Sequence, residues 1–301
     1  MSVSWNPNSL HHVVAVATGS SVAILNMDTS SGHASELTSS LLNKSKEEED
    51  ENDEDEDNED SSKKNKSEAI WKQQSKDRLD IILSSTVRQV VWHSRGNYFA
   101  TVCPSASSPS RRVAVHILSK RRTQHPFRRV KGMAQCVQFH PSKPIFFLAT
   151  KKNVRVYHLQ RQQLITKLTS AAKHISSLAV HSSGDHVMIG TIDRRLCWFD
   201  LDLASTPFKA LRYHTKALRQ ALFHSRYPLM ASASDDGTIH VFHAKVYSDV
   251  IQSPLIVPVK VLRGHSVTGG LGVLDIAFHP TQPWLFSAGA DGSIRLFQNI
   301  H

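Results

Sequence analysis

The chain has 301 residues, 40% of them hydrophobic and 21% charged, with a formal net charge of +10. It holds no run of 18 consecutive apolar residues, so no membrane-spanning helix is predicted. Its three cysteines, Cys103, Cys136 and Cys197, are far apart and lack a Cys-x-x-Cys spacing, which argues against a disulfide framework or a thiolate zinc site and fits a reducing compartment. The charge is unevenly spread. Residues 44–68 carry 13 acids and 5 lysines, which leaves 31 basic against 13 acidic side chains, or +18, in the remainder. A polypeptide of that charge fits polyanionic surroundings, most often nucleic acid.

Taken in chain order, an apolar strand runs six times into a turn and is then followed by a further strand pair. The pivots are Trp5-Asn6-Pro7, Trp92-His93-Ser94, Phe139-His140-Pro141, Val180-His181-Ser182, Phe223-His224-Ser225 and Phe278-His279-Pro280, spaced 87, 47, 41, 43 and 55 residues apart. A repeat of about 40–45 residues made of short strands is the period of a β-propeller blade. The first unit, 3–26, is weakly patterned. An insertion over 38–82 follows; its centre, Glu47 to Asp60, has twelve acids and no apolar residue. Such a run buries too little surface to offset chain entropy, so 38–82 is expected to be a disordered acidic loop extruded from a blade. Ser45, three residues before Glu48, resembles an acidophilic kinase site.

Units at 87–118 and 130–159 come next, then 174–201, with Asp193 in a turn and Phe199 near the end of its third strand. The clearest unit is 211–243: Tyr213-His214, a strand from Leu218 to Phe223, a second from Leu229 to Ser234, the turn Asp235-Asp236-Gly237, and a third from Thr238 to Phe242. Asp-Gly between apolar strands is a hairpin signal, because glycine supplies positive φ. A second break in the period, Val246 to Pro258, lengthens one connection and reads as a docking loop. The last unit repeats the layout from Gly264-His265 through Asp291-Gly292 to Phe297. The predicted fold class is therefore all-β, a WD40-type β-propeller spanning 1–301 with six blades visible. The chain starts on an inner strand and stops on a third strand with no fourth. A closing strand, and with it a seventh blade, is expected upstream.

The last two complete units resemble WD repeats, in which a His before the first strand, a Ser or Thr in the second, a turn Asp and a Trp form a hydrogen-bonded network. By position these are His214, Ser232, Asp236 and Phe242 in one unit and His265, Ser287, Asp291 and Phe297 in the other. Phe in place of Trp removes the indole donor. The recurrence of Ser, His and Asp in each unit assigns them to structure rather than to a hydrolase triad. No phosphate-binding glycine loop, His-Glu-x-x-His pair or Gly-x-Ser-x-Gly elbow occurs, so no catalytic residue, cofactor or small-molecule substrate is predicted. Most of the 18 histidines, among them His93, His140, His181, His224 and His279, recur with the repeat and lack metal-ligand spacing, so no metal site is predicted.

Basic residues do cluster. Arg111, Arg112, Lys120, Arg121, Arg122, Arg128, Arg129 and Lys131 fall within 21 positions, followed by Lys143, Lys151 and Lys152. Lys120 to Arg129 is read as a flexible connection containing Pro126 and Phe127, suited to gripping phosphates without reading sequence. Docking on an acidic protein surface, or on the chain's own acidic loop, and nuclear import are the competing uses.

Several longer strings go beyond generic WD repeats: Ser119-Lys120-Arg121-Arg122, Pro126-Phe127-Arg128-Arg129, Gln135-Cys136-Val137-Gln138-Phe139-His140-Pro141, Pro254-Leu255-Ile256-Val257-Pro258 and His279-Pro280-Thr281-Gln282-Pro283-Trp284. They resemble the C-terminal propeller of the block-of-proliferation family of ribosome biogenesis proteins, strongly over 87–299 and weakly over 3–26. The resemblance implies a non-catalytic scaffold of the large (60S) ribosomal subunit precursor, needed for rRNA processing to the 5.8S and 25S/28S-type RNAs. It implies binding within a ribonucleoprotein complex in the nucleus, nucleolus and nucleoplasm. The partners it implies are pre-ribosomal RNA, pescadillo and a WD-repeat protein with a ubiquitin-like domain. The family's seven-bladed propeller follows a long N-terminal region that contacts pescadillo. That region and the first blade have no counterpart in this sequence, and the acidic insertion departs from the typical member. The alternative is a generic WD-repeat adaptor of another nuclear complex.

Overall fold

The computed structural model describes residues 2–8, 12–27, 69–128, 130–246 and 254–298. Regular structure among them is β throughout, apart from a 3-10 turn at Pro109–Arg112. The chain divides into two compact units, Met1–Lys131 and Gly132–His301.

The first unit holds two antiparallel sheets. One is built from β1 (Ser2–Trp5), β2 (Val13–Thr18), β3 (Ser21–Asn26), β4 (Ile70–Ser75) and β5 (Arg78–Ile82), in the order β1-β2-β3-β5-β4. The other is β6 (Gln89–Trp92), β7 (Tyr98–Val102), β8 (Val113–Ile117) and β9 (Arg122–Gln124). The second unit holds three four-stranded sheets: β10 (Ala134–Phe139) to β13 (Gln163–Thr169), β14 (Ile175–Val180) to β17 (Lys209–Leu211), and β18 (Leu218–Phe223) to β21 (Leu255–Arg263). Within these, β11 is Ile145–Thr150, β12 Asn153–His158, β15 His186–Thr191, β16 Leu196–Asp200, β19 Leu229–Ser234 and β20 Thr238–Lys245. A three-stranded sheet of β22 (Val273–Phe278), β23 (Leu285–Gly289) and β24 (Ile294–Phe297) completes the unit. The fold is all-β, and the six sheets are blades of a WD40-type β-propeller.

Lettering the strands of each sheet a to d in chain order defines two ends. The a–b and c–d turns lie at one end; the b–c turn and the crossover to the next sheet lie at the other. The middle strands are covered on both faces, and their composition shows it. All six residues of His186–Thr191 and of Leu229–Ser234 are buried, the latter with small side chains at Ala231, Ser232, Ala233 and Ser234. Small residues let two neighbouring sheets approach this strand at once. The outer strand Gln163–Thr169 is exposed at most positions.

Cores form between consecutive sheets. In the first unit Ile24, Leu79 and Ile81 pack with Val90, Trp92 and Phe99. In the second, Phe147 and Val156 pack with Leu178 and Val187, Met188 and Trp198 with Met230 and Phe242, and Val241 with Ile276 and Leu285. Burying one such large side chain contributes roughly 1.5–3 kcal/mol.

The stretch 38–82, expected as one disordered loop, is corrected at its C-terminal end. Residues 70–75 and 78–82 form the antiparallel hairpin β4–β5, with β5 in the fourth-strand place beside β3 and β4 added outside it. The cause is local: Leu79 and Ile81 alternate inward and are fully buried, and Trp71 packs against the same core. The acidic run Glu47 to Asp60, and Ser45, lie outside the described residues. So does 247–253 of the expected docking loop, whereas Leu255 to Pro258 belong to the strand β21. The last sheet has three strands among the described residues, ending on β24.

Candidate nucleic-acid interface

The recurring pivot histidines are turn caps. His140 Nδ1 accepts the N–H groups of Ser142 and Lys143 at 3.1 and 2.9 Å, and His224 Nδ1 those of Arg226 and Tyr227 at 3.0 and 3.1 Å. His93, His181 and His279 accept from the residue two ahead in the same way, at 3.1, 3.2 and 3.2 Å. In the first sheet Asn6 replaces the histidine, its Oδ1 accepting from Asn8 N–H at 2.9 Å. In Asn6 and His224 the other end of the side chain reaches the a–b turn of the next sheet. Asn6 Nδ2 donates to the Gly96 carbonyl at 2.9 Å, and His224 Nε2 donates to that of Gln282 at 2.9 Å. A Cβ on Gly184 would fall 2.1 Å from His140 Nε2, so this glycine makes room for the ring of the preceding sheet. Because Nδ1 accepts, the neutral ring carries its proton on Nε2. Burial pushes His93, His140 and His181 below the ordinary histidine range, which holds that form.

The crossover histidines use the opposite tautomer. His214 Nδ1–H donates to Asp236 at 3.0 Å and its Nε2 accepts from the Ser232 hydroxyl at 2.9 Å. His265 does the same with Asp291 at 3.1 Å and Ser287 at 2.7 Å. Burial of Asp236 acts to raise its pKa, but donors from His214, Thr238 and the Thr215 N–H outweigh it and hold the carboxyl below its usual range. Asp291 is lowered too, first by the Ser293 hydroxyl, against desolvation, with the Ser293 N–H, His265 and the Ser266 N–H adding to it. Phe242 is fully buried and Phe297 packs against the last core. With no solvent-facing nucleophile, these Ser-His-Asp sets tie the b–c turn to the preceding crossover. They are girders.

A third histidine network escaped the sequence reading. In the first unit Trp71 Nε1 donates to Thr123 Oγ1 at 3.1 Å, and His116, fully buried, lies between Thr123 and Thr101 at 2.9 Å from each hydroxyl. Burial, with a smaller effect of His125, lowers His116 to about 3. Trp198 Nε1 similarly donates to His186 Nδ1 at 3.2 Å. The available signal was a histidine at an inward position of a third strand, as in Val-Ala-Val-His116. The cysteines are buried and none is in a disulfide; burial lifts Cys103, and Cys197 to about 11.

The basic cluster is contiguous in sequence but not in space. Arg111 and Arg112 sit in the b–c connection before β8, where the Arg112 carbonyl accepts from Cys103 N–H at 2.9 Å. Lys120 and Arg121 occupy the c–d turn at the other end of that strand and Arg122 opens β9, beside Asn97, which bonds Ser119 at 3.0 Å. Arg121 reaches back to Gln73 at 2.9 Å and adopts φ 46°. Arg128 and Lys131 lie on the connection leaving β9 towards the Arg111–Arg112 end, and Arg129 is outside the described residues. Phe127, read as an aromatic in a flexible connection, is buried, with 6% exposure, so it is not offered for stacking. Among the described residues no group of three or more His, Cys, Asp or Glu side chains could hold a metal ion.

Residues 205–243 and 256–298 match the family described as "WD domain, G-beta repeat". Over 98% of its length the chain is 50% identical to "Ribosome biogenesis protein bop1" of Danio rerio, 47% to "Ribosome biogenesis protein BOP1" of Rattus norvegicus and 46% to that of Homo sapiens. It spans 37%, 39% and 38% of the length of these relatives. With this identity across nearly all of its residues, the chain belongs to the block-of-proliferation family of WD-repeat proteins.

Proposed function

We propose that this chain is a non-catalytic scaffold in ribosome biogenesis, acting on the large (60S) subunit precursor and required for maturation of the 5.8S and 25S/28S-type ribosomal RNAs. The observation that carries the reading is its 46–50% identity, over 98% of its length, to proteins named for ribosome biogenesis. The geometry supports a scaffold. Recurrent Ser-His-Asp sets serve as girders, buried histidines are held neutral, and cations lie on turns and crossovers where they meet solvent. Pre-ribosomal RNA is the polyanion this surface fits, with Arg111, Arg112, Lys120, Arg121, Arg122, Arg128 and Lys131 as contacts at the two ends of their sheet and Arg129 as a further proposed contact. Pescadillo and a WD-repeat partner with a ubiquitin-like domain are the proposed protein partners, and the nucleolus and nucleoplasm the proposed sites of action.

The test is depletion of the protein followed by gradient analysis of subunits and hybridisation to precursor RNA. Free 60S subunits should fall and large-subunit precursors accumulate, with 18S-type RNA little affected. Normal 60S levels after near-complete depletion would refute the reading and favour a WD-repeat adaptor of another complex.

A further inference from the structure

Three of the chain's twelve prolines follow a serine or threonine: Ser108-Pro109, Thr206-Pro207 and Ser253-Pro254. Two of these pairs carry a cation two places after the proline, in Ser108-Pro109-Ser110-Arg111 and Thr206-Pro207-Phe208-Lys209; the third continues Leu255-Ile256 and does not. That spacing is a recognition unit for one class of protein kinase. A subsite with an apolar wall just after the acceptor leaves a backbone N–H unpaired unless the residue there is proline, which has none. An acidic subsite two places further on then selects a cation. Both strings lie on connections between strands, where the fold can present them to another protein.

Thr206 is the more open of the two. It is exposed in the c–d connection between β16 and β17 and makes no hydrogen bond to a described residue. Ser205 anchors the connection beside it, its carbonyl accepting from Thr169 N–H at 2.9 Å. Lys209 Nζ lies 5.6 Å from the centre of the Phe208 ring, a contact weak enough to yield to a carboxylate. Ser108 sits in the b–c connection between β7 and β8 at φ −88° and ψ 128°, the extended backbone that a following proline imposes. Cys103 and Ala106, buried in the first unit's core, fix the start of that connection. Pro109–Arg112 then form the 3-10 turn, in which no residue is buried. Its Arg111 N–H donates to the Ser108 carbonyl at 3.1 Å, and the Ser108 and Ser110 hydroxyls are 2.8 Å apart. Opening this turn breaks little and uncovers no core. A 3-10 turn sets residues three apart on one side, so Arg111 stands on the side of Ser108.

We propose that Thr206 and Ser108 are phosphorylation sites for a proline-directed kinase that reads a cation two residues beyond the proline. In the transfer the acceptor Oγ forms a bond to the γ-phosphorus of ATP as the bond to the β,γ-bridging oxygen breaks. ADP leaves, and the hydroxyl proton passes to the kinase's catalytic carboxylate. Each phosphate carries a charge of about −1.5 to −2 at pH 7, so two of them cut the formal net charge of +10 by roughly 3 to 4. On Ser108 the phosphate comes within reach of the Arg111 and Arg112 guanidiniums, which pair with phosphate through charge-assisted hydrogen bonds. That pairing withdraws both cations from an external polyanion. The acceptor assignment stands on the two strings and their placement; the effect at Ser108 rests on the polyanion-binding reading of Arg111 and Arg112.

The test incubates the folded 301-residue chain with a purified cyclin-dependent kinase, ATP and Mg²⁺, and maps phosphate by tandem mass spectrometry over time. Thr206 should fill fastest, because its connection need not unwind, with Ser108 next and Ser253 slower than either. Lys209→Gln should slow transfer to Thr206 alone, and Arg111→Gln transfer to Ser108 alone, each at least about tenfold for the loss of one charge pair with the kinase. Labelling confined to the denatured chain, or rates indifferent to both substitutions, would overturn the proposal. The effect at Ser108 is read in the Thr206→Val chain on a heparin column. Full phosphorylation should shift its elution to lower salt. An unphosphorylated chain carrying Arg111→Gln and Arg112→Gln that elutes like the parent would remove the polyanion-binding reading and leave the acceptors standing. Early elution of that variant beside an unshifted phosphorylated chain would remove the pairing at Ser108.

Discussion

His224 joins two sheets through one imidazole: its Nε2–H donates to the Gln282 carbonyl at 2.9 Å while its Nδ1 accepts from the turn that follows it. Asn6 does the same work with an amide, Oδ1 accepting within its own turn and Nδ2 donating to Gly96 in the next sheet. One side chain is an imidazole and the other an amide, so what the position selects is one acceptor and one donor set back to back. Asn6 and His224 are latches between neighbouring sheets.

That equivalence makes a substitution experiment decisive. His224→Ala should destabilise the chain by about 1–3 kcal/mol, because it leaves two turn N–H groups and the Gln282 carbonyl unpaired where water has poor access. His224→Asn should recover at least about half of that loss, since it restores both bonds in the form used at Asn6. Urea unfolding midpoints of the three proteins decide it. Equal loss in both variants would mean that ring packing against Phe278 and Tyr227, 5.0 and 4.9 Å away between centroids, outweighs the bonds.

The pH dependence follows from His116. Its ordinary value of 6.5 applies in the unfolded chain, and burial lowers it to about 3 in the fold. Below 6.5 the unfolded chain takes up a proton that the folded one refuses. The stabilisation is therefore complete above 6.5 and is lost as pH falls towards 3, at about 1.4 kcal/mol per unit for one proton. His93, His140, His181 and His186, also lowered chiefly by burial, add in the same direction. Asp236 and Asp291 contribute only at the acid edge; their depressed values give stability present above the usual carboxylate range and lost below it. Unfolding free energy should thus fall steadily between pH 6.5 and 4, and His116→Gln should flatten the slope by about one proton. A flat profile over that range would refute the assignment.

The repeat, the six sheets and the Ser-His-Asp girders were legible because each depends on a local pattern: alternating apolar residues, an Asp-Gly turn, a histidine at fixed spacing. The first sheet was faint because its fourth strand, Arg78–Ile82, is separated from the third by more than fifty residues, and no local pattern joins Leu79 to Ile24. The spatial split of the basic cluster was hidden for the converse reason. Residues 111–122 are neighbours in sequence, yet an intervening strand, Val113–Ile117, sends the arginines on either side to opposite ends of the sheet.

Two glycines should respond differently to alanine. A Cβ on Gly272 would lie 2.5 Å from the Gly237 backbone nitrogen and 2.8 Å from the Ser234 carbonyl oxygen, all main-chain atoms that cannot rotate away. A Cβ on Gly292 meets nothing within 4 Å, and its cost is only that of φ 75°. Gly272→Ala is expected to cost about 3 kcal/mol or more, by forcing β22 away from the turn before β20. Gly292→Ala should cost about 1 kcal/mol. Melting curves showing the reverse order would contradict the close approach at Gly272.

Phe242 offers the last check, because it stands where a WD repeat carries tryptophan. If the missing indole donor were a defect, Phe242→Trp would repair it and raise stability. The surroundings argue otherwise. Phe242 is fully buried against Trp198 and Met230, with Tyr213 at 5.2 Å, and the Ser232 hydroxyl already serves His214 at 2.9 Å. An indole adds volume to a filled interior and brings an N–H that needs an acceptor there. Overpacking of this kind costs about 1–3 kcal/mol, and an unmatched buried donor adds to it. The variant should melt lower than the parent, with the deficit shrinking when the flanking Met230→Ala change opens space. A higher melting temperature for Phe242→Trp alone would show that this repeat keeps room, and an acceptor, for the residue it lacks.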